Sequence, residues 1–206
     1  MSDARIGSKV CCLPCLNGLA ALLGACIWAA AWLAAIAGCG SESSDKSGGD
    51  AAGMVKLEIL SLEEIRERIA SYKDKKLVVV DFWSTSCPPC MEEFPGLVAL
   101  SEKHPDEVAC ISVSVDFEGG KNKKPEDVTP KVLGFLKEKK AVKVVNILSS
   151  TPSDDVFADG KLDLGGSIPV VIVHNRDGSV AKKFSEAEPF TYADVDKLVA
   201  ELLAAK

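Results

Sequence analysis

The chain has 206 residues, 47% of them hydrophobic and 26% charged, with a formal net charge of -6. That length suits one globular domain plus a more apolar segment, and an acidic balance without a sizeable basic cluster argues against nucleic acid as a partner. His104 and His174 are the two histidines; with one Cys-x-x-Cys after residue 38, the ligands for a four-coordinate zinc site are lacking, so no metal is expected.

The apolar excess sits at the front. After Arg5 and Lys9, residues 16–37 carry no charge and lead into Gly38-Cys39. Small residues before a cut are the mark of an export signal. Residues 1–38 resemble a bacterial lipoprotein signal, which implies lipidation of Cys39. The same run is long enough to span a bilayer, so an uncleaved anchor is the alternative. Either reading exports the remaining chain and tethers it, placing it in the cell envelope or periplasm with the membrane as a partner. Cys12 and Cys15 form a second Cys-x-x-Cys, but they follow no strand and open the apolar segment, so no redox role is expected of them. Residues 39–53 are dominated by Ser, Gly, Ala, Asp and Glu and predict a flexible tether, leaving residues 54–206 as the folded domain.

Met54 to Leu60 predict an edge strand. Ser61 and Glu64 form a capping-box signal for a helix to about Tyr72, with Leu62, Ile65 and Ile69 on its apolar face. The unbroken run Leu77-Val78-Val79-Val80 then predicts a buried strand, stopped by Ser84-Thr85-Ser86 just before Cys87-Pro88-Pro89-Cys90. A helix starting at Cys87 puts that thiol where free backbone N–H groups and the positive end of the dipole favour a thiolate. Cys87 is then the nucleophile, and Cys90, one turn deeper, can form the disulfide and resolve a mixed disulfide. Pro88 and Pro89 cost little in a first turn.

The helix is predicted to reach Lys103 with Pro95 inside it, followed by a strand over Val108–Val115 that is parallel to the first because a helix connects them. Cys110 lies within this strand as a small hydrophobe. A loop from Asp116 to Thr129 precedes a helix over Val132–Lys140, with Val132, Leu133 and Leu136 inward, and a strand over Val142–Leu148. Ser149 to Gly166 read as loop with short structure around Val156-Phe157. Asn175-Arg176-Asp177-Gly178 predicts a hairpin joining Val170–His174 to Ser179–Phe184. Thr191 and Asp194 open a last amphipathic helix carrying Val195, Leu198, Val199 and Leu202.

The stretch from Val80 to Pro95, with Asp-Phe-Trp before the cysteines and Glu-Phe-Pro after them, resembles the active-site segment of the thioredoxin superfamily, in particular its membrane-tethered TlpA/ResA-like branch. The resemblance implies an α/β thioredoxin-like fold: a central mixed β-sheet flanked by helices, with a TlpA-like helix-strand insertion. It implies a thiol-disulfide oxidoreductase with no cofactor beyond a redox-active Cys87–Cys90 disulfide. Asp81 matches the buried carboxylate that helps deprotonate the resolving cysteine, and Glu93 matches a glutamate of the branch pattern that tunes the thiols. Pro169, after Ile168, matches the cis-proline facing the cysteines, where the Ile168 backbone would pair with an extended substrate segment. Trp83, Pro88 and Pro89 are expected to complete the substrate-binding surface, with Trp83 as wall and core. One departure is Ser86, where the family usually has Trp. The implied partners are an exported disulfide-containing protein, such as apocytochrome c or a metal-site assembly protein, and a membrane thiol electron donor. The alternatives are an oxidase or isomerase of exported proteins, and a copper-binding lipoprotein using the two thiolates.

Overall fold

A computed structural model of the chain describes residues 53–205. The expected export segment, Cys39, and the tether up to residue 52 lie outside the described residues. In chain order the elements are β1 (Glu58–Leu60), α1 (Leu62–Ser71), β2 (Leu77–Trp83), α2 (Pro88–Lys103), β3 (Val108–Ser114), a 3-10 turn (Pro125–Asp127), α3 (Thr129–Glu138), β4 (Val145–Ser149), α4 (Ser153–Phe157), β5 (Val170–Asn175), β6 (Val180–Ser185) and α5 (Tyr192–Ala204). The strands form one sheet in the order β1-β4-β3-β2-β5-β6. The first four in that order run parallel, and β5 and β6 are each antiparallel to the strand before them.

Alternation along β2 divides the core into two layers. Leu77, Val79 and Trp83 pack with Phe94 and Leu97 of α2, Leu136 of α3, and Val195 and Val199 of α5. Val78, Val80 and Phe82 point the other way, onto Leu62 and Ile65 of α1 and Val156 of α4. The sheet is therefore covered on both sides, which explains why every residue of β2 and β3 is buried. The same period of two puts Asp81 on the α2/α5 side, in the row of Leu77, Val79 and Trp83. Burying an aliphatic side chain there contributes roughly 1.5–3 kcal/mol, whereas a carboxylate in that row needs a donor or a proton.

Local signals place the helices. Ser61 caps α1 reciprocally with Glu64: its N–H donates to Glu64 Oε2 at 2.7 Å, and Glu64 N–H donates to Ser61 Oγ at 3.4 Å. At α5 the Thr191 N–H donates to Asp194 Oδ2 at 2.9 Å.

Three boundaries differ from the sequence prediction by three residues or more, all of them element starts. β1 spans only Glu58–Leu60, because its ladder with β4 has three positions and the Lys56 carbonyl is taken by the Asn146 side chain instead. β4 begins at Val145 rather than Val142, since Asn146 Nδ2 also holds the carbonyls of Ala141 and Val144, at 2.9 and 3.0 Å, in a loop. α3 begins at Thr129, with Pro130 in its first turn, so the predicted loop is shorter. Leu133 is half-buried, and Phe135 instead joins the aromatic contacts of the core.

Candidate active site

The topology brings two distant segments to one end of the sheet. Parallel β2 and β3 deliver the Ser84–Cys87 turn and Asp116 at their C-terminal ends, where open α/β sheets commonly hold ligands. β5 runs the opposite way and pairs Val170 with Phe82, so its N-terminal end, with Ile168-Pro169 just before it, arrives at the same place. The Ile168–Pro169 peptide bond is cis, and the Ile168 carbonyl oxygen lies 3.9 Å from Cys87 Sγ.

Cys87 is the N-cap of α2, with Pro88 and Pro89 in the first turn where no N–H is missed. Its sulfur accepts the Cys90 backbone N–H at 3.3 Å, and its own N–H donates to the Ser84 carbonyl at 3.1 Å. The two cysteines form a disulfide. Cys87 is 9% exposed and Cys90 2%, which makes Cys87 the sulfur an incoming partner meets first. On reduction, the N–H at its sulfur and the helix dipole both favour the Cys87 thiolate. Pro88 and Pro89 are exposed beside it. Trp83 is not at the surface: it is fully buried, with ring centroids 4.9 Å from Phe94 and 4.7 Å from Phe135. It is the floor beneath the site, and the expectation that it lines the substrate surface is corrected accordingly.

Asp81 is buried, and Tyr192 OH donates to its Oδ2 at 2.7 Å. Desolvation pushes its carboxyl up to about 7; the Tyr192 hydrogen bond opposes that rise and the Glu93 charge adds to it. Tyr192 itself is raised well above its ordinary value, first by burial and then by Asp81, so it stays protonated as a donor. Glu93 does not touch the sulfurs through any hydrogen bond among the described residues. Its Oε2 accepts the Tyr192 backbone N–H at 2.7 Å, which places it at the start of α5, and its charge raises the Asp81 carboxyl.

A second polar cluster holds the turn before Cys87. Asp116 accepts the Thr85 N–H at 3.1 Å, the Thr85 hydroxyl in a short contact, the Ser84 hydroxyl at 3.2 Å and the Ser114 hydroxyl at 2.6 Å. Ser84 Oγ then accepts the Ser86 N–H at 3.1 Å, so the fixation reaches the residue before the nucleophile. A cavity of about 280 Å³ opens here, lined by Ser84, Ser86, Asp116, Ser167 and Ile168 among others. A larger one of about 430 Å³ lies at the opposite end of β2, around Arg66, Tyr72 and Arg176, away from the sulfurs. Cys110 is free and buried, and burial pushes its thiol up to about 12, so it is inert. Among the described residues no three His, Cys, Asp or Glu side chains group as a metal site would require.

Tyr192 and Asp116 were not singled out from the sequence. Tyr192 stands directly after the Thr191 cap, and Asp116 closes an apolar strand beside a Ser-Thr-Ser turn; both are polar groups placed where local structure ends.

The Redoxin family profile matches residues 49–202. The chain belongs to the Redoxin family. Its sheet order, α2 disulfide and cis-proline make this Redoxin domain thioredoxin-like in fold. Among curated proteins it is similar to thioredoxin H3 of Arabidopsis thaliana, 40% identical over 57 residues, which is 27% of this chain and 48% of that one. The match thus spans about half the length of the relative. Among solved structures it is similar to StoA from Bacillus subtilis, at 20% identity over 61% of this chain and 84% of that chain, with a TM-score of 0.44. A thiol:disulfide interchange protein from Chlorobium tepidum TLS matches at 24% identity over 65% of this chain and 84% of that chain, with a TM-score of 0.46. Among the described residues no helix is long and apolar enough to cross a membrane.

Proposed function

We propose that the protein is an exported, membrane-anchored thiol-disulfide oxidoreductase that reduces disulfides in other exported proteins. The observation that carries the reading is Cys87 at the cap of α2, its sulfur on the Cys90 N–H and facing the Ile168 carbonyl beside the cis-proline. The Cys87 thiolate attacks a substrate disulfide, forming a mixed disulfide and releasing one substrate thiolate. Asp81 takes the proton of Cys90, whose thiolate attacks the Cys87 sulfur and releases the second substrate thiolate. The protein ends oxidised and the substrate gains two electrons. A membrane thiol donor then restores the dithiol. Ile168 pairs with the substrate backbone as an added strand would, while Pro88 and Pro89 border the contact. An anchor through lipidated Cys39 keeps the domain near its donor, and apocytochromes or metal-site assembly proteins are the substrates this reading favours.

The test is the reduction potential of the Cys87–Cys90 pair together with trapping by Cys90→Ser. A potential near the about -270 mV of thioredoxin, with exported proteins trapped on Cys87, supports the reductase. A potential near about -120 mV would make the protein an oxidant. A disulfide that does not cycle, with nothing trapped, would remove the exchange reading altogether.

A further inference from the structure

We infer that Tyr192 is a positioning residue for the resolving step, holding the Asp81 carboxylate from the first turn of α5 while Asp81 receives the Cys90 proton. The inference rests on the function proposed for Asp81 above and adds a residue that none of the motif readings contains.

Three contacts fix Tyr192 independently. Its hydroxyl donates to Asp81 Oδ2 at 2.7 Å. Its backbone N–H donates to Glu93 Oε2 at 2.7 Å, tying its main chain to the same helix that carries Cys90. Its side chain crosses α2 at Gly96, where an added Cβ would stand 2.1 Å from Tyr192 Cβ. Gly96 therefore exists as the notch through which the ring reaches the sheet. A tyrosine gripped at both ends has little freedom, so its hydroxyl stays aimed at one carboxylate oxygen.

The surroundings leave few other influences on Asp81. Glu93 faces it from α2 with a like charge, Tyr192 faces it from α5, and Cys110 of β3 acts on Tyr192. Ser112 is its neighbour in β3 and Val171 its neighbour in β5. The Tyr192 hydroxyl is thus the donor that stabilises the charged, proton-accepting form against both burial and Glu93. Tyr192 keeps its own proton throughout: the Cys90 proton goes to Asp81 and from there to solvent, and the electron pair left on Cys90 forms the bond to Cys87.

The test uses the full-length chain in detergent. Reduced protein is mixed in stopped flow with a fluorescent cystine-peptide disulfide, and release of the second peptide thiol is followed against pH. In wild type this rate rises as Asp81 ionises. Tyr192→Phe keeps the ring in the Gly96 notch and removes the donor, so the rise should move about one to two pH units higher, the range of a hydrogen bond to a charged group. Replacing both tyrosines with 3-fluorotyrosine keeps the hydroxyl, strengthens it as a donor and should move the rise to lower pH, which covers the case of a poorly folded Phe variant. Profiles that overlay wild type in both proteins, while Asp81→Asn slows the second release, would overturn the role of Tyr192 alone. An Asp81→Asn protein that resolves as fast as wild type would overturn the role of Tyr192 and the function proposed for Asp81 together.

Discussion

Glu93 accepts the backbone N–H of Tyr192 at 2.7 Å, so one carboxylate of the active-site helix caps the first turn of the last helix. An anion at that place satisfies an otherwise unpaired N–H and meets the positive end of the α5 dipole. It also stands close enough to Asp81 to raise its carboxyl. Structure and electrostatics therefore share one side chain, and substitution separates them.

Glu93→Ala should cost about 1 kcal/mol of stability, the usual size of a lost cap. Glu93→Gln keeps an acceptor for Tyr192 and removes the like charge. Its stability should stay nearer wild type while the Asp81 carboxyl titrates at lower pH. Urea unfolding and ¹³C NMR of the aspartate carboxyls read the two effects. An Asp81 titration unmoved by Glu93→Gln would show that the charge of Glu93 does not reach it.

Gly96→Ala sets two magnitudes against each other. Alanine favours a helix over glycine by roughly 1 kcal/mol. The new Cβ would meet Tyr192 Cβ at 2.1 Å and Cγ at 2.3 Å, and overpacking of this kind costs typically about 1–3 kcal/mol or more. The clash should win, with a net loss of stability and a displaced Tyr192 hydroxyl. A variant as stable as wild type in chemical denaturation would contradict the close approach.

Asp81 makes stability depend on pH with a definite sign. Its carboxyl is raised to about 7 in the folded protein, from 3.8 as an ordinary aspartate. The unfolded chain therefore releases this proton first. The contribution is fully present below the unfolded value, declines through the interval between the two, and is lost above about pH 7. A shift of this size corresponds to about 4 kcal/mol at most. Asp81→Asn cannot ionise and can still accept from Tyr192, so it should be more stable than wild type at pH 8, with the advantage shrinking toward pH 4. Equal pH dependence in the two oxidised proteins would mean that Asp81 is ionised in the fold at ordinary pH.

Much of this arrangement is legible in the chain. The Val-rich run to Trp83 and the two cysteines after a polar turn carry the strand, the cap and the disulfide, because period, capping and helix dipole are local properties. The hairpin at Asn175–Gly178 and the Ser61 and Thr191 caps are local in the same way. Pro169 was legible through resemblance, since nothing in its neighbours requires a cis bond. What the sequence hid is tertiary. That Tyr192 reaches Asp81 depends on a crossing of α2 and α5 at Gly96, and that Asp116 reaches Thr85 depends on the register of β2 with β3. The early start predicted for β4 failed for a related reason, since Asn146 binds carbonyls across a loop that propensity alone reads as strand.

Asp116 supplies the remaining prediction. It is half-buried and accepts the Thr85 N–H and three hydroxyls, and through Ser84 it fixes the turn that ends at Cys87. Ser86, the residue before the nucleophile, donates its N–H to Ser84 Oγ at 3.1 Å, so this polar network supports the turn up to Cys87. Asp116→Ala leaves those donors to compete for water and should destabilise the fold by about 2–4 kcal/mol, since hydrogen bonds to a charged group are worth roughly 1.5–3 kcal/mol each and some are regained from solvent. The freed turn should also loosen Cys87 at its cap, so alkylation of the reduced protein by iodoacetamide should shift to higher pH as the thiolate loses its fixed N–H donor. Asp116→Asn retains one acceptor oxygen and should fall between wild type and the alanine variant on both measures. If Asp116→Ala loses stability while the alkylation profile of Cys87 stays in place, the network supports the fold alone and the turn needs no anchor to present its nucleophile.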